Sequence, residues 1–189
     1  MIFRRAGADP VSMDVTLDPG ELEAWDDVVV DLFGITEEVA GSISVESDYP
    51  VVVTARTFNQ GASGTFGQFL PGISMDQTMT SGQMGVLSQL SNNSAYRTNV
   101  GFINLGDEQV QVRMSVYDGS GLLLGTKDMT IGPGLWKQQN DIYGSVGSGT
   151  VDNGYVKVEV LTDGGSVWGY GSVVDNATGD PTTIPLEIQ

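Results

Sequence analysis

Hydrophobic and polar positions alternate with a period of two along much of the chain. Val110, Val112, Met114 and Val116 alternate with Gln111, Arg113, Ser115 and Tyr117. Val156, Val158 and Val160 alternate with Tyr155, Lys157 and Glu159, and Ile43 and Val45 stand between Ser42, Ser44 and Glu46. Successive side chains of a strand point to opposite faces, so this pattern predicts strands with one face buried and one wet. Turn chemistry punctuates them at Asp118-Gly119-Ser120-Gly121, Asp152-Asn153-Gly154 and Asp163-Gly164-Gly165. The turns recur about every 10 to 15 residues, as in a β-sandwich or barrel. One segment competes as a helix: Glu21–Val29 has good helix formers and follows Asp18-Pro19-Gly20, whereas Val28-Val29-Val30 favours a strand. A short helical turn or an irregular loop is expected there.

The chain also matches itself. At an offset of 114, Thr16-Leu17-Asp18-Pro19-Gly20 falls on Thr130-Ile131-Gly132-Pro133-Gly134, Asp27-Val28 on Asp141-Ile142 and Pro71 on Pro185. At 113, Gly41-Ser42-Ile43-Ser44-Val45 falls on Gly154-Tyr155-Val156-Lys157-Val158, and upstream Ile2-Phe3 falls on Val116-Tyr117 at 114. Residues 73–114, including Tyr96–Asn104, have no upstream counterpart. The expected organisation is a complete β-sandwich module over residues 73–189, preceded by a partial copy over residues 1–72 made of the later strands. A sandwich without its first strands leaves unpaired backbone edges and an open apolar face, both of which favour association.

Charge and composition narrow the function. Eight Lys and Arg stand against 24 Asp and Glu, a net charge of −16, with no His and no Cys. Ser-His-Asp and Cys-His catalysis, imidazole or thiolate metal sites and disulfides are thereby excluded. Strong acidity opposes a nucleic-acid partner, which needs a basic footprint. The chain contains 26 Gly and only 17% charged residues, a composition common in secreted all-β proteins. Met1-Ile2-Phe3-Arg4-Arg5 is followed by Ala6-Gly7-Ala8-Asp9-Pro10 rather than an apolar run, so this chain shows no signal peptide. No stretch has the roughly 18 apolar residues of a membrane span, so no membrane insertion is expected.

Three stretches carry a family resemblance: Arg97–Asn104, the Pro133-Gly134 step, and Gly169–Pro181. They resemble a module of bacterial extracellular and cell-surface proteins that has immunoglobulin-like β-sandwich character and often occurs in tandem. The first copy resembles its later part through Asp27-Val28-Val29, Phe33-Gly34 and Thr54–Asn59. The resemblance implies an all-β, immunoglobulin-like fold and an extracellular or cell-surface location. It also implies adhesion, spacing or assembly without enzymatic activity, with copies of itself or other surface proteins as partners.

Two constellations remain open in the sequence. Trp168 and Tyr170 project from one face of a strand beside Gly169 and Gly171, which makes either a carbohydrate-stacking platform or part of the core. Asp175, Asn176 and Asp180 offer oxygen ligands suited to calcium, or else an Asx-type turn satisfying local amides. The adjacent carboxylates Asp26-Asp27, Glu37-Glu38 and Asp107-Glu108 point to opposite faces on a strand, so they read as surface charge rather than a glycosidase pair. Arg56 and Arg97, scarce cations in strand-like segments, are expected to pair with carboxylates at a sheet edge. Trp25 and Trp136, near the two Pro-Gly steps, are expected to pack at a rim or between modules.

Overall fold

A computed structural model describes residues 1–61 and 64–189. The first part of the chain forms β1 (Ile2–Arg4), β2 (Val11–Ser12), the helix α1 (Val28–Asp31), β3 (Ser42–Ser44), β4 (Thr54–Gly61) and β5 (Gly64–Pro71). A single 3-10 turn (Met75–Gln77) leads into β6 (Met79–Thr80), β7 (Met84–Asn92), β8 (Tyr96–Asn104), β9 (Val110–Tyr117) and β10 (Leu123–Ile131). The chain ends through β11 (Trp136–Gln139), the helix α2 (Ile142–Ser145), β12 (Val151–Val160), β13 (Ser166–Asp175), β14 (Pro181–Pro185) and β15 (Glu187–Ile188). The protein is all-β.

Residues 79–188 make a β-sandwich. One antiparallel sheet runs β10-β9-β12-β7-β15, and the other runs β11-β8-β13-β14, with β6 also paired to β13. The alternating strands behave as their pattern predicts. Val110, Val112, Met114, Val116, Val156 and Val158 are all fully buried, while Gln111, Arg113, Ser115 and Lys157 face outward. They meet Val100, Phe102, Leu87, Leu90 and Val167 in one continuous core. Every buried side-chain nitrogen and oxygen among the described residues has a hydrogen-bond partner. Buried Asn104, for example, donates to the carbonyls of Glu108, Ile131 and Gly132 and thereby fixes the β8–β9 corner to the end of β10.

The small sheet β2-β1-β3 has the strand order of β10-β9-β12. Phe3 pairs with Ile43 and Arg4 with Ser42, as Val116 pairs with Val156 and Tyr117 with Tyr155, each residue 113 positions further on. Strand pairing thus sets Phe3 against Val116, one residue from the sequence match that put Ile2 there. α1 and α2 are each a single turn, 114 positions apart and capped by Asp27 and Asp141. The hairpin β4–β5 lies at the positions corresponding to β13–β14. Among the described residues of 1–72, no strand corresponds to β7 or β8.

One local expectation, the short helical turn, is met and one is corrected. Val28-Val29-Val30 is helical rather than extended, because the Asp27 carboxylate accepts hydrogen bonds from the amides of Val29 and Val30, an N-cap strong enough to overrule β-branched propensity. Asp152-Asn153-Gly154 is a bulge inside β12 rather than a turn, with register shifts on either side of Gly154. A Cβ at Gly154 would lie 2.1 Å from the Tyr143 hydroxyl, so a larger residue does not fit at this point of the bulge.

Residues 1–72 have a smaller apolar cluster, Phe3, Phe33 and Ile35. Their sheet is tied to the sandwich where the Ser42 hydroxyl donates to the Gly134 carbonyl and the Arg4 side chain lies against Gly134, which has a φ of 63°. A Cβ there would collide with Arg4, 2.6 Å from its Cδ.

Phe102→Ala removes a fully buried ring at the centre of the larger core and is expected to cost about 3–5 kcal/mol in chemical denaturation. Acid sensitivity has a defined direction. Asp118 is held below the ordinary carboxylate range by hydrogen bonds from the Ser120 hydroxyl and the Leu122 amide, and Asp128 by the Arg113 guanidinium. The folded protein therefore binds fewer protons at these sites than the unfolded chain. Their stabilisation is complete above the normal carboxylate pKa and is lost as pH falls through the depressed values. With no histidine in the chain, melting temperature is expected to stay level from about pH 6 to 8 and to fall below about pH 4. Asp118→Asn and Asp128→Asn should each make that acid fall shallower in thermal melts.

Candidate functional site

β13 is the best-paired strand of its sheet, with β8 along one edge and β6 and β14 along the other. Val167 points into the sandwich core, and Trp168 and Tyr170 point to the opposite face of the sheet. That face is not open. Trp168 is 9% and Tyr170 6% exposed, so neither offers a ring to a sugar, and the carbohydrate platform is corrected to an interior packing layer. The Tyr170 ring lies over Gly101, where a Cβ would come within 2.6 Å of it. Its hydroxyl accepts a hydrogen bond from Trp136 Nε1 at 3.2 Å and donates to Gln138 Oε1 at 3.0 Å. Burial pushes the Tyr170 hydroxyl pKa up, keeping it a neutral donor. Trp136 is thus a partly buried packing residue of this layer, and Trp25 is also partly buried.

Asp175, Asn176 and Asp180 each make separate local contacts. Asp175 Oδ1 accepts from the amides of Ala177 and Thr178 at 2.7 and 3.0 Å, and these bonds hold its carboxyl below the usual range. Asn176 turns the other way: its Oδ1 accepts from Arg97, and its Nδ2 donates to the carbonyls of Asn93 and Ser94. Among the described residues no three acidic side chains gather as a metal group. The loop forms the Asx turn that was the other reading of these residues, clasped to the β7–β8 turn. Arg97 thus donates to an amide oxygen rather than to a carboxylate.

One carboxylate in each of two of the sequence pairs has a defined partner. Asp27 caps α1, and Glu37 pairs with Arg5 at 2.7 Å. A bidentate pair that the sequence did not single out joins Arg113 and Asp128 across β9 and β10 at 2.8 Å for both contacts. An open cleft of about 540 Å³ separates Arg4, Arg5 and Asp9 from Pro133 and Leu135. Arg5 is already occupied by Glu37, and Arg4 donates to Ser44 at 2.7 Å.

The surface that stands out is the ribbon β4–β5. Every residue of β4 from Thr54 to Gln60 is exposed, and among the described residues β4 pairs with β5 alone. β5 rests on the sandwich: Gln68 is buried and accepts from the Ser172 hydroxyl at 2.9 Å, and Thr183 Oγ1 donates to the Phe69 carbonyl. Gln68 pairs with Thr57 on that inward face, so Arg56, Phe58 and Phe69 lie on the outward one. Phe58 is 48% and Phe69 58% exposed. The Arg56 guanidinium sits 5.5 Å from the Phe58 ring centroid and donates to Thr65 at 3.2 Å, so it too has no carboxylate partner. The contrast is with β13, about 113 positions further along the chain. One is enclosed on both faces and both edges; the other is open on its outer face and along one edge. Thr54–Gly61 has no clean alternation, and the sequence signal for this surface was the absence of a partner strand upstream rather than any motif.

No protein-family model matches the chain, and no curated protein matches it. A solved structure, the crystal structure of Thermotoga maritima 1070, aligns over 58% of this chain and 94% of its own at 15% identity and a TM-score of 0.42, a likeness that carries no argument about function.

Proposed function

We propose that the chain is a non-catalytic structural or adhesion module of an extracellular or cell-surface protein, and that it assembles by strand complementation between chains. Residues 73–189 are a complete sandwich of immunoglobulin-like character, and residues 1–72 are a partial copy of it. The observation that carries this reading is the state of β4. Its counterpart β13 pairs with β8 along its whole length, whereas β4 presents the same kind of edge with no strand against it. An unpaired row of backbone donors and acceptors is a template for an incoming strand, and main-chain pairing of this kind needs no catalytic group and no pocket. The chemistry of the chain agrees, since it holds no histidine or cysteine, and Asp27, Asp175, Glu37 and Asp128 serve a cap, a turn and two ion pairs. Sugar binding through Trp168 and Tyr170 has no support, because both side chains are covered.

A peptide with the sequence of β8, Tyr96–Asn104, serves as the strand probe in hydrogen exchange on the 189-residue chain. At low protein concentration the amides of β4 should exchange far faster than those of β13. They should gain protection when the peptide is added or the protein concentration is raised. Protection of β4 equal to that of β13 in dilute protein, or no gain under either condition, would overturn the reading.

A further inference from the structure

The edge of β4 also bears on which chain fills it, an inference that rests on the strand-complementation reading above. In the complete sandwich, β8 covers β13 while β7, its neighbour in the chain, covers β12. The described residues contain one β7–β8 pair and two sets of strands able to receive it. A copy that lent its β7–β8 to a neighbour would withdraw Leu87, Leu90, Val100 and Phe102, all fully buried, from its own core. It would recreate in itself the vacancy it filled. Exchange of these strands between identical chains therefore gains nothing, whereas pairing of two open edges leaves both cores intact.

We propose that two copies associate through antiparallel pairing of their β4 strands about a twofold axis, forming a four-stranded sheet in the order β5-β4-β4-β5. A twofold interface is self-complementary, which an antiparallel pair of identical strands satisfies by construction. β4 carries few of the usual guards against edge pairing. It has no proline, its register with β5 runs without a bulge, and Arg56 is its one charged residue. The approach is electrostatically open as well: residues 51–75 contain no Asp or Glu and a single Arg, within a chain of net charge −16. A two-stranded ribbon is marginal by itself, and a four-stranded sheet with Phe58 and Phe69 of both copies along one face supplies the apolar row that the ribbon lacks.

Sedimentation velocity of the full chain over a range of concentrations should show a monomer–dimer equilibrium that tightens as salt is raised, because screening weakens repulsion between the acidic remainders. Phe58→Asp should raise the dimer dissociation constant at least tenfold, while Leu22→Asp, at an equally apolar exposed site away from the ribbon, leaves it unchanged. The chain has no native cysteine, so single cysteines placed from Thr54→Cys to Gln60→Cys report the geometry without relying on the Asp variant. In a twofold antiparallel pair the residue on the axis faces itself, so disulfide formation should peak at one position and decline on either side. A monomer at every concentration and salt, equal effects of Phe58→Asp and Leu22→Asp, or cross-linking no faster along β4 than at Leu22→Cys would overturn the proposal. If the chain stays monomeric while the β8 peptide still protects β4, twofold self-pairing falls and strand complementation stands. If neither occurs, both fall.

Discussion

The constraint on which this structure turns is the double edge of a β-strand. Each strand offers backbone donors and acceptors on two sides, and groups buried without partners cost about as much as a lost hydrogen bond. β13 meets this requirement completely, and its composition follows from it. A strand closed on both faces and both edges needs apolar or small side chains throughout, and Ser166–Val174 provides Val167, Trp168, Tyr170, Val173 and Val174 with Gly169 and Gly171 between them. The glycines make the enclosure possible. A Cβ at Gly169 would fall 2.4 Å from the Phe102 ring, so the close approach of β13 to β8 depends on its absence. β4, open along one side, is under no such demand and carries Thr, Arg, Asn and Gln.

The same constraint separates the two halves energetically. The sandwich buries one large cluster running from Met79 to Leu186, while the earlier residues bury three side chains around Phe3. A sheet of three short strands with so small a core gains little from apolar burial, and it leans on its neighbour instead. Ser42 and Arg4 attach that sheet at Gly134, and the ribbon is attached separately by Gln68 at Ser172 and by Thr183 at the Phe69 backbone. These hold the ribbon by β5 and leave β4 on the outside. The pattern of support thus determines which edge remains available.

How far the sequence disclosed this varies with the physical signal each element emits. β9 and β12 were legible because one face of each is wet, which forces the alternation seen at Val110–Val116 and Val156–Val160. β13 was legible as a strand but not as an interior one: when both faces are covered, no periodic difference distinguishes them, and Trp168 and Tyr170 read equally as platform or core. Asp152-Asn153-Gly154 and Asp175-Asn176 show a second ambiguity. Residues that tolerate unusual backbone and bond to local amides serve turns, bulges and cation loops alike, and only the neighbouring chain decides among them. At Val28-Val29-Val30 the deciding group was a single carboxylate one residue upstream, whose two hydrogen bonds outweigh a propensity difference of a few tenths of a kcal/mol per residue. The unfilled edge of β4 was legible only indirectly, through the internal comparison that found no upstream counterpart for residues 73–114.

Charge decides how such an edge can be used. A chain at −16 repels its own copies over roughly a Debye length, about 10 Å at 0.1 M salt, and a uniform spread of acids would oppose any self-contact. The acids are not spread uniformly. Twelve of the 24 lie in residues 1–60, all of them before residue 49, and none lies between residues 51 and 75. Repulsion therefore acts through the flanking segments, whereas the exposed strand itself is neutral apart from Arg56, whose guanidinium is held over Phe58. Such an arrangement disfavours indiscriminate aggregation, since most approaches bring acid against acid, and it spares the one approach that sets ribbon against ribbon. The acidity that excludes nucleic acid as a partner thus restricts which surface another strand can reach, and the backbone edge of β4 lies within that surface.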